Sequence, residues 1–241
     1  MMNIHIQDLV KIYDDRRALN DVTLTILENQ TFAILGRNGA GKTTLMECLI
    51  GLTSYDSGSL SINGKQVSSI RNSVGVQLQN HAMFERTTVQ ELYSLFASFY
   101  SKPISPDHLL DLLHLDALKH KRIHKLSTGQ KQRTAIGLAL IGDPKVILLD
   151  EPTAGLDVQV RELIWEVLAD MKAKGKTIVF TTHYMEEAEQ FSDQVAVLHE
   201  GAILDIDTSE QLIRKYANKN KQTLNEAFKS LTGSTMRTGV D

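Results

Sequence analysis

A glycine-rich segment at residues 36–44, here called the phosphate loop, carries the clearest chemistry in the chain. It follows the apolar run 31–35 and precedes the helix-forming run 45–50, which gives the order strand, loop, helix. Glycine lets backbone N–H groups turn inward around a phosphate, and the following helix directs its positive end at the same oxygens. The segment therefore predicts a nucleotide site. Its candidate binding residues are Gly36, Arg37, Asn38, Gly39, Ala40, Gly41, Lys42, Thr43 and Thr44.

Two side chains of the phosphate loop have defined roles in this prediction. Lys42 would neutralise the β- and γ-phosphates of ATP, and the Thr43 hydroxyl would ligate Mg²⁺. We expect Lys42 to be an exposed loop lysine that adds little to the core.

Adjacent carboxylates, Asp150 and Glu151, end the continuous apolar run 146–149. Such a run is typical of a parallel strand buried on both faces, and ligands bind beyond the carboxyl ends of these strands. Asp150 would hold Mg²⁺, directly or through its water shell, while Glu151 reaches the attacking water. Neighbouring strand side chains point in opposite directions, so both roles require a turn, which we expect Pro152 to supply.

A second glycine-bearing segment, residues 126–130, lies between the phosphate loop and the carboxylates. It reads Leu-Ser-Thr-Gly-Gln and opens a run of helix-forming residues. The segment thus predicts another anion-binding helix end, which the first site does not need. Its natural target is a nucleotide held by a second subunit, so the chain is predicted to work as a paired ATPase.

The surrounding patterns indicate the elements that position these residues. Alternating apolar residues before the phosphate loop, and again at 60–62, suggest a small antiparallel sheet. Between the loop and the carboxylates the pattern becomes helical, at 89–99, 106–113 and 128–141. His183 follows the apolar strand 177–180, which places it at the predicted sheet edge of Gly36 and Asp150. A polar, helix-prone tail follows residue 209.

Composition agrees with one nucleotide-binding unit. The chain has 241 residues, of which 42% are hydrophobic, and this is enough for a substantial core. The formal net charge is only -3, which argues against broad binding to nucleic acid. The single cysteine excludes an internal disulfide and suits a reducing cytoplasm. Without an apolar run long enough to cross a bilayer, we expect membrane attachment to come through a partner.

From about residue 3 to about 208 the chain resembles the nucleotide-binding subunit of an ATP-binding cassette (ABC) transporter, with every motif in the family's order. The resemblance implies an α/β fold: a P-loop, RecA-like core with an N-terminal antiparallel β subdomain and an inserted α-helical subdomain at about 80–140. It implies an ABC ATPase domain at 1–208 and a short C-terminal helical tail at 209–241. ATP and Mg²⁺ are the implied cofactors.

The resemblance also implies roles for single residues. Tyr13 is similar to the aromatic residue on which adenine stacks. Considered without the other motifs, it would instead be predicted to be a packed aromatic residue of a strand. Gln79 is similar to the glutamine that contacts Mg²⁺ and the γ-phosphate, with Gln77 as the other register. His183 resembles the histidine that touches the γ-phosphate, and residues 154–157 resemble the loop that crosses the dimer interface.

Residues 126–130 resemble the family's signature segment, in which Ser127, Gly129 and Gln130 are the implied nucleotide contacts. The commonest signature has two glycines here, so Thr128 replaces the first. This departure leaves the phosphate geometry open.

The downstream residues resemble bacterial ATPase subunits of drug, bacteriocin or polysaccharide exporters. The implied partners are a separate polytopic membrane permease and a second ABC subunit, forming a homodimer, with no specific nucleic acid. The implied location is cytoplasmic, peripheral on the inner face of the cell membrane. His81, Ala82, Met83 and Phe84 would couple to the permease, or Met83 and Phe84 would pack inside the helical subdomain. The alternatives are a soluble ABC ATPase acting on ribosomes or DNA, and a binding module that has lost hydrolysis.

Overall fold

A computed structural model describes residues 3–66, 69–79, 83–218 and 221–233 of the chain. They form two compact units, one from 1–69 with 179–241 and the other from 70–178. The strands are β1 (Ile4–Tyr13), β2 (Arg16–Ile26), β3 (Thr31–Leu35), β4 (Ser57–Ile62), β5 (Val74–Gln77), β6 (Val146–Asp150), β7 (Thr177–Thr182), β8 (Gln194–His199) and β9 (Ala202–Asp207). The helices are α1 (Lys42–Leu49), α2 (Val89–Ala97), α3 (Pro106–Leu112), α4 (Thr128–Leu140), α5 (Val158–Ala173), α6 (Met185–Phe191), α7 (Ser209–Tyr216) and α8 (Leu224–Thr232).

An antiparallel sheet of order β2-β1-β4 lies in the first unit. The apolar residues of β2 alternate with exposed ones, which is the pattern of a half-buried strand. A register shift interrupts the pairing of β1 with β4, and a Cβ on Gly58 would lie 2.3 Å from the Asp8 carbonyl oxygen. Glycine is therefore required at this close approach. The predicted small sheet is confirmed.

The first unit also holds the strands that lead to the phosphate loop. Every residue of β3 is buried, and β3 pairs in parallel with β8. The order continues from β7 through β3 and β8 to β9, which pairs antiparallel with β8. A buried parallel strand such as β3 accounts for the unbroken apolar run 31–35. β8 and β9 form a hairpin that turns at residues 200–201.

The second unit contains the predicted helical insertion. Helices α2, α3 and α4 lie in sequence between β5 and β6, which pair in parallel. Tyr93 of α2 is fully buried, and its hydroxyl donates a hydrogen bond to the Thr134 carbonyl oxygen of α4 (3.2 Å). A Cβ on Gly137 would lie 1.9 Å from that hydroxyl. Only glycine fits where these two helices approach.

The C-terminal tail is amphipathic, although the sequence predicted a polar segment. Leu224, Ala227 and Phe228 of α8 are buried, and α8 packs against α6 and α7.

The Lys215 ammonium of α7 lies 3.0 Å from an Asp205 carboxylate oxygen and 2.9 Å from one of Asp207. Hydrogen bonding from Lys215 lowers the pKa of Asp207 and joins α7 to β9. The predicted boundary at residue 208 stays a prediction.

Candidate functional site

The phosphate loop joins β3 to α1 in the first unit, and close backbone approaches require two of its glycines, Gly36 and Gly41. A Cβ on Gly36 would lie 2.6 Å from the Leu198 carbonyl oxygen. Gly41 has a φ of 107°, and a Cβ there would lie 2.5 Å from the Ala18 carbonyl oxygen. The loop is further held by the Gly201 amide, which donates to the Ala40 carbonyl oxygen (2.9 Å). Neighbouring strands therefore fix the loop's shape.

Lys42 is buried, with 5% of its surface exposed, so the expectation of an exposed loop lysine is wrong. It begins α1, and its ammonium donates to the carbonyl oxygens of Gly36 (2.9 Å) and Arg37 (3.2 Å). A buried ammonium needs such acceptors because desolvation of a charge is costly. Lys42 therefore lies across the start of the loop and stabilises it.

Several polar side chains of the loop lie at or near the protein surface. Arg37, Asn38 and Thr43 are exposed, and Thr44 is half-buried. Thr43 and Thr44 lie in the first turn of α1, where backbone N–H groups lack acceptors within the helix. The loop thus combines a fixed backbone with accessible donors at a helix N-terminus.

His183 lies in the same unit, directly after β7. The Gly36 amide donates to the Thr182 carbonyl oxygen (3.2 Å), so the start of the phosphate loop lies beside the residue preceding His183. The Thr182 hydroxyl donates to the buried Glu187 carboxylate (2.7 Å) and accepts from the Tyr184 amide (3.0 Å). These bonds fix the backbone on both sides of His183. The structure thus brings His183 and Gly36 together.

Tyr13 ends β1 with 43% of its surface exposed, so it is not the packed strand aromatic that its type alone suggested. The Lys11 ammonium lies 5.0 Å from its ring centroid, within the range of a cation–π interaction. An exposed ring remains accessible for stacking on a ligand.

The carboxylates belong to the second unit. Asp150 is fully buried at the end of β6, whereas Glu151 is half-buried. Glu151 itself adopts a φ of 48°, a left-handed conformation that is uncommon for a non-glycine residue. The turn therefore begins at Glu151, one residue before the predicted Pro152, because a left-handed residue already redirects the strand.

The two glutamines near β5 have different environments. Gln77 is buried, and its side-chain amide donates to the carbonyl oxygens of Leu78 (2.9 Å) and Asp150 (3.2 Å). Gln79 is exposed just beyond the strand. Gln79 is therefore the more accessible of the two, and its contact with a nucleotide stays a prediction. His81 and Ala82 lie outside the described residues.

Ser127 caps the N-terminus of α4 in a capping box. Its hydroxyl oxygen accepts from the Gln130 amide (3.3 Å), while its own amide donates to the Gln130 side-chain oxygen (3.1 Å). The hydroxyl hydrogen of Ser127 is not used in this box. The nearest neighbours of a Cβ on Gly129 would be the Leu156 and Val160 side chains, each at an ordinary contact distance of 3.7 Å. This chain's own packing therefore leaves room for a larger residue at position 129.

Comparison with known proteins agrees with this geometry. Residues 19–154 match the family described as ABC transporter. Over 207 residues the chain is 39% identical to the Nod factor export ATP-binding protein I of Burkholderia lata, a match that covers 82% of this chain and 68% of that protein. The chain belongs to the ABC transporter family. It is an ATP-hydrolysing, nucleotide-binding subunit of a transporter, as its motifs predicted.

Solved structures extend the likeness to nearly the whole chain. An ATP-binding subunit of an ABC transporter superimposes with a TM-score of 0.85 at 28% identity, covering 95% of this chain and 98% of that one. A dimeric ATP-binding cassette bound to ADP and phosphate in a post-hydrolysis state gives a TM-score of 0.79 at 26% identity, covering 85% and 98%. The predicted ABC ATPase fold is confirmed. None of the described helices is long and apolar enough to cross a membrane.

Sequence reasoning missed one feature beside the carboxylates. The buried side-chain amide of Gln132, in α4, donates to the Pro152 carbonyl oxygen (2.7 Å). A glutamine in a helix has no sequence signal for a partner twenty residues away.

Replacing Lys42 with alanine tests the phosphate loop. We expect the Kd for ATP to rise roughly 100-fold or more, because charge-assisted hydrogen bonds to phosphate are lost. The melting temperature of the nucleotide-free protein should also fall, since two loop carbonyls lose their donor. Calorimetry and thermal melting measure both effects. Lys65→Ala, an exposed lysine of the same unit, is the control. Unchanged ATP affinity in Lys42→Ala, matching the control, would remove Lys42 from the site.

Proposed function

We propose that ATP binds to the phosphate loop of this chain, with its adenine stacked on Tyr13. The fixed glycine backbone, the buried Lys42 ammonium and the N-terminus of α1 together form an anion site, and this arrangement is the observation that carries the proposal. Lys42 neutralises the β- and γ-phosphates when it exchanges a loop carbonyl for a phosphate oxygen. Gly36, Arg37, Asn38, Gly39, Ala40, Gly41 and Thr44 complete the loop contacts.

Thr43, Gln79 and Asp150 would hold Mg²⁺. They offer a hydroxyl, an amide oxygen and a carboxylate, and hard oxygen donors are the ligands that Mg²⁺ prefers. The burial of Asp150 at a strand's carboxyl end supports the assignment, because a buried carboxylate is stabilised by a nearby cation. Bound Mg²⁺ supplies positive charge for the phosphate oxygens.

Glu151 is the proposed general base. It accepts a proton from water as the water oxygen bonds to the γ-phosphorus and the bond to the β-phosphate oxygen breaks, which yields ADP and phosphate. His183 donates a hydrogen bond to the γ-phosphate. The hydrogen bonds that fix the Thr182 backbone support this role, because they set the position of His183 beside the phosphate loop.

A second copy of the chain completes each site. The Ser127 hydroxyl, the Gly129 amide and Gln130 would contact the γ-phosphate of ATP held by the partner. The capping box supports this, since it leaves the Ser127 hydroxyl hydrogen available to a phosphate. The room at Gly129 also supports it: the fold does not require glycine there, but close approach of a second molecule would. Thr128 is exposed and would lie at the same surface.

We infer that the assembled transporter is an exporter in which a separate membrane permease carries the substrate across. The Burkholderia lata relative is named for Nod factor export, which supports export as the direction. The cassette would then be cytoplasmic and peripheral on the inner face of the membrane. ATP closes the dimer and hydrolysis reopens it, so the difference in dimer affinity between the ATP and ADP states moves the permease.

Phe84 supplies an accessible contact for that permease. Phe84 is 59% exposed, so the alternative that it packs inside the helical subdomain is wrong, and Met83 is half-buried. Residues 84–87 form a turn, which is fixed by the Thr87 amide and hydroxyl. Both donate to the Phe84 carbonyl oxygen (3.1 and 2.7 Å). A large apolar side chain on a fixed turn suits burial against another protein.

The transporter interpretation displaces the alternative of a soluble ATPase acting on ribosomes or DNA. The family and the relatives described above are transporters, and the net charge of -3 supplies no broad attraction for nucleic acid. The other alternative, a binding module that has lost hydrolysis, is also unsupported, because Lys42, Glu151 and His183 are all present.

Glu151→Gln tests the chemistry and the dimer together. The substitution preserves shape but removes the base, so hydrolysis should slow by roughly 10² to 10⁴-fold while the Kd for ATP stays near that of the parent. ATP should then convert monomer to dimer, as measured by sedimentation. Adding Ser127→Arg should prevent the conversion by placing bulk against the partner's phosphate. Parental hydrolysis would exclude Glu151 as the base, and a protein that stays monomeric in saturating ATP would exclude closure by two copies alone.

Phe84→Ala tests the permease surface. We expect permease-stimulated ATPase activity and transport to fall several-fold, because burial of an aromatic anchor is lost. The affinity of the isolated subunit for ATP should not change. Phe99→Ala is the matched control, since Phe99 is 65% exposed in the same unit but lies away from Gln79 in sequence. Full coupling in a normally melting Phe84→Ala protein would contradict the assignment.

A further inference from the structure

Two buried glutamines donate hydrogen bonds to the backbone that carries the proposed base. Residues 150–152, here called the catalytic turn, present the Asp150 carbonyl oxygen to Gln77 and the Pro152 carbonyl oxygen to Gln132. The two acceptors flank Glu151 in the chain. Both donors and the turn lie in the second unit.

The orientation of the Gln77 amide is set by its neighbours. Its nitrogen lies 2.9 Å from the Leu78 carbonyl oxygen and 3.2 Å from that of Asp150, and two carbonyl oxygens require the NH₂ end of the amide. Only 2% of Gln77 is exposed, and among the described residues its side-chain oxygen has no hydrogen-bond partner. An apolar residue would avoid that unsatisfied acceptor. Donation to the two carbonyls is therefore the distinctive contribution of this side chain.

Gln132 brings the signature helix to the same turn. It lies in α4, whose N-terminus Ser127 caps, and only 9% of its surface is exposed. Its amide nitrogen lies 2.7 Å from the Pro152 carbonyl oxygen, which is a short hydrogen bond in a buried setting. Gln132 thus follows the segment proposed to bind the partner's ATP, which ends at Gln130, by less than one turn of the same helix.

The turn needs external support because of its backbone. Glu151 has a φ of 48°, and a left-handed conformation is disfavoured for a glutamate. Such conformations persist where the surrounding structure over-determines them, and they are frequent at active sites. Hydrogen bonds to the Asp150 and Pro152 carbonyls restrain the backbone on each side of Glu151. The first fixes the 150–151 peptide that precedes Glu151, and the second fixes the 152–153 peptide one residue further along the chain.

We propose that Gln77 and Gln132 are positioning residues for hydrolysis, which hold Glu151 in its left-handed conformation through the Asp150 and Pro152 carbonyls. This rests on the proposed role of Glu151 as the base. Gln132 additionally makes the catalytic turn of one nucleotide site sensitive to the position of the helix that serves the other site.

The test uses two single variants of the full chain, Gln77→Met and Gln132→Met. Each substitution keeps the side-chain length but removes the hydrogen-bond donor. We expect kcat to fall roughly 10- to 100-fold, as small misplacements of a reacting group do, with KM for ATP and ATP-driven dimerisation unchanged. Gln132→Lys retains a donor at a position near the surface and should recover part of the rate. Tyr93→Phe is the control, because it removes one buried hydrogen bond to α4 without touching the turn. It should lower the melting temperature but leave kcat at the parental value.

A double-mutant cycle separates positioning from general stability. Single-turnover hydrolysis should be no slower in Gln132→Met/Glu151→Gln than in Glu151→Gln alone, because a residue that acts through Glu151 has no effect once the base is gone. An additive loss would overturn the proposal, as would parental kcat in both methionine variants. If Gln77→Met does not fold, Gln132→Met decides the matter. Parental hydrolysis by Glu151→Gln would instead refute the proposed base, and the two failures are thus distinguishable.

Discussion

The hydrogen bonds from Lys42 to the carbonyl oxygens of Gly36 and Arg37 hold the phosphate loop together. These bonds keep the positively charged ammonium inside the loop, where the two carbonyl oxygens accept its hydrogen bonds. A triphosphate can then enter a site whose donors are already positioned, so little of the binding free energy is spent on ordering the protein. The surrounding elements serve this arrangement: β3 delivers the loop, α1 directs its N-terminus at it, and the strand that ends at Thr182 brings His183 beside it.

The chain therefore has two helix N-termini that we propose to bind phosphate, and they have different structural demands. At the N-terminus of α1 the fold itself requires glycine, since Cβ atoms at Gly36 and Gly41 would strike backbone carbonyl oxygens. At the N-terminus of α4 the fold leaves room at Gly129, and the hydroxyl hydrogen of Ser127 is unused by the capping box. The first end is complete within one chain, whereas the second is suited to a molecule that arrives from outside. This difference supports assembly of each ATP site from two chains.

The sequence predicted the parts of this architecture that depend on local pattern. The phosphate loop, the buried strands and the three inserted helices follow from glycine spacing and apolar periodicity, and they lie close to the expected positions. Features that depend on distant contacts could not be predicted. Burial of Lys42 depends on how the loop folds back on its own carbonyls, and the bond from Gln77 to Asp150 joins residues 73 positions apart. The left-handed Glu151 and the packed face of α8 have the same origin, because tertiary contacts select conformations that local preference does not.

A mixture of two defective chains tests the central claim, that each ATP site uses the phosphate loop of one chain and the signature segment of another. Lys42→Ala alone and Ser127→Arg alone should each hydrolyse ATP poorly. When they are mixed, the Ser127→Arg chain contributes an intact phosphate loop and the Lys42→Ala chain an intact signature segment, so the mixed dimer contains one complete site. The account predicts that ATPase activity reappears on mixing, with a maximum near equal amounts of the two chains. Activity that never exceeds the sum of the separate variants at any ratio would contradict it.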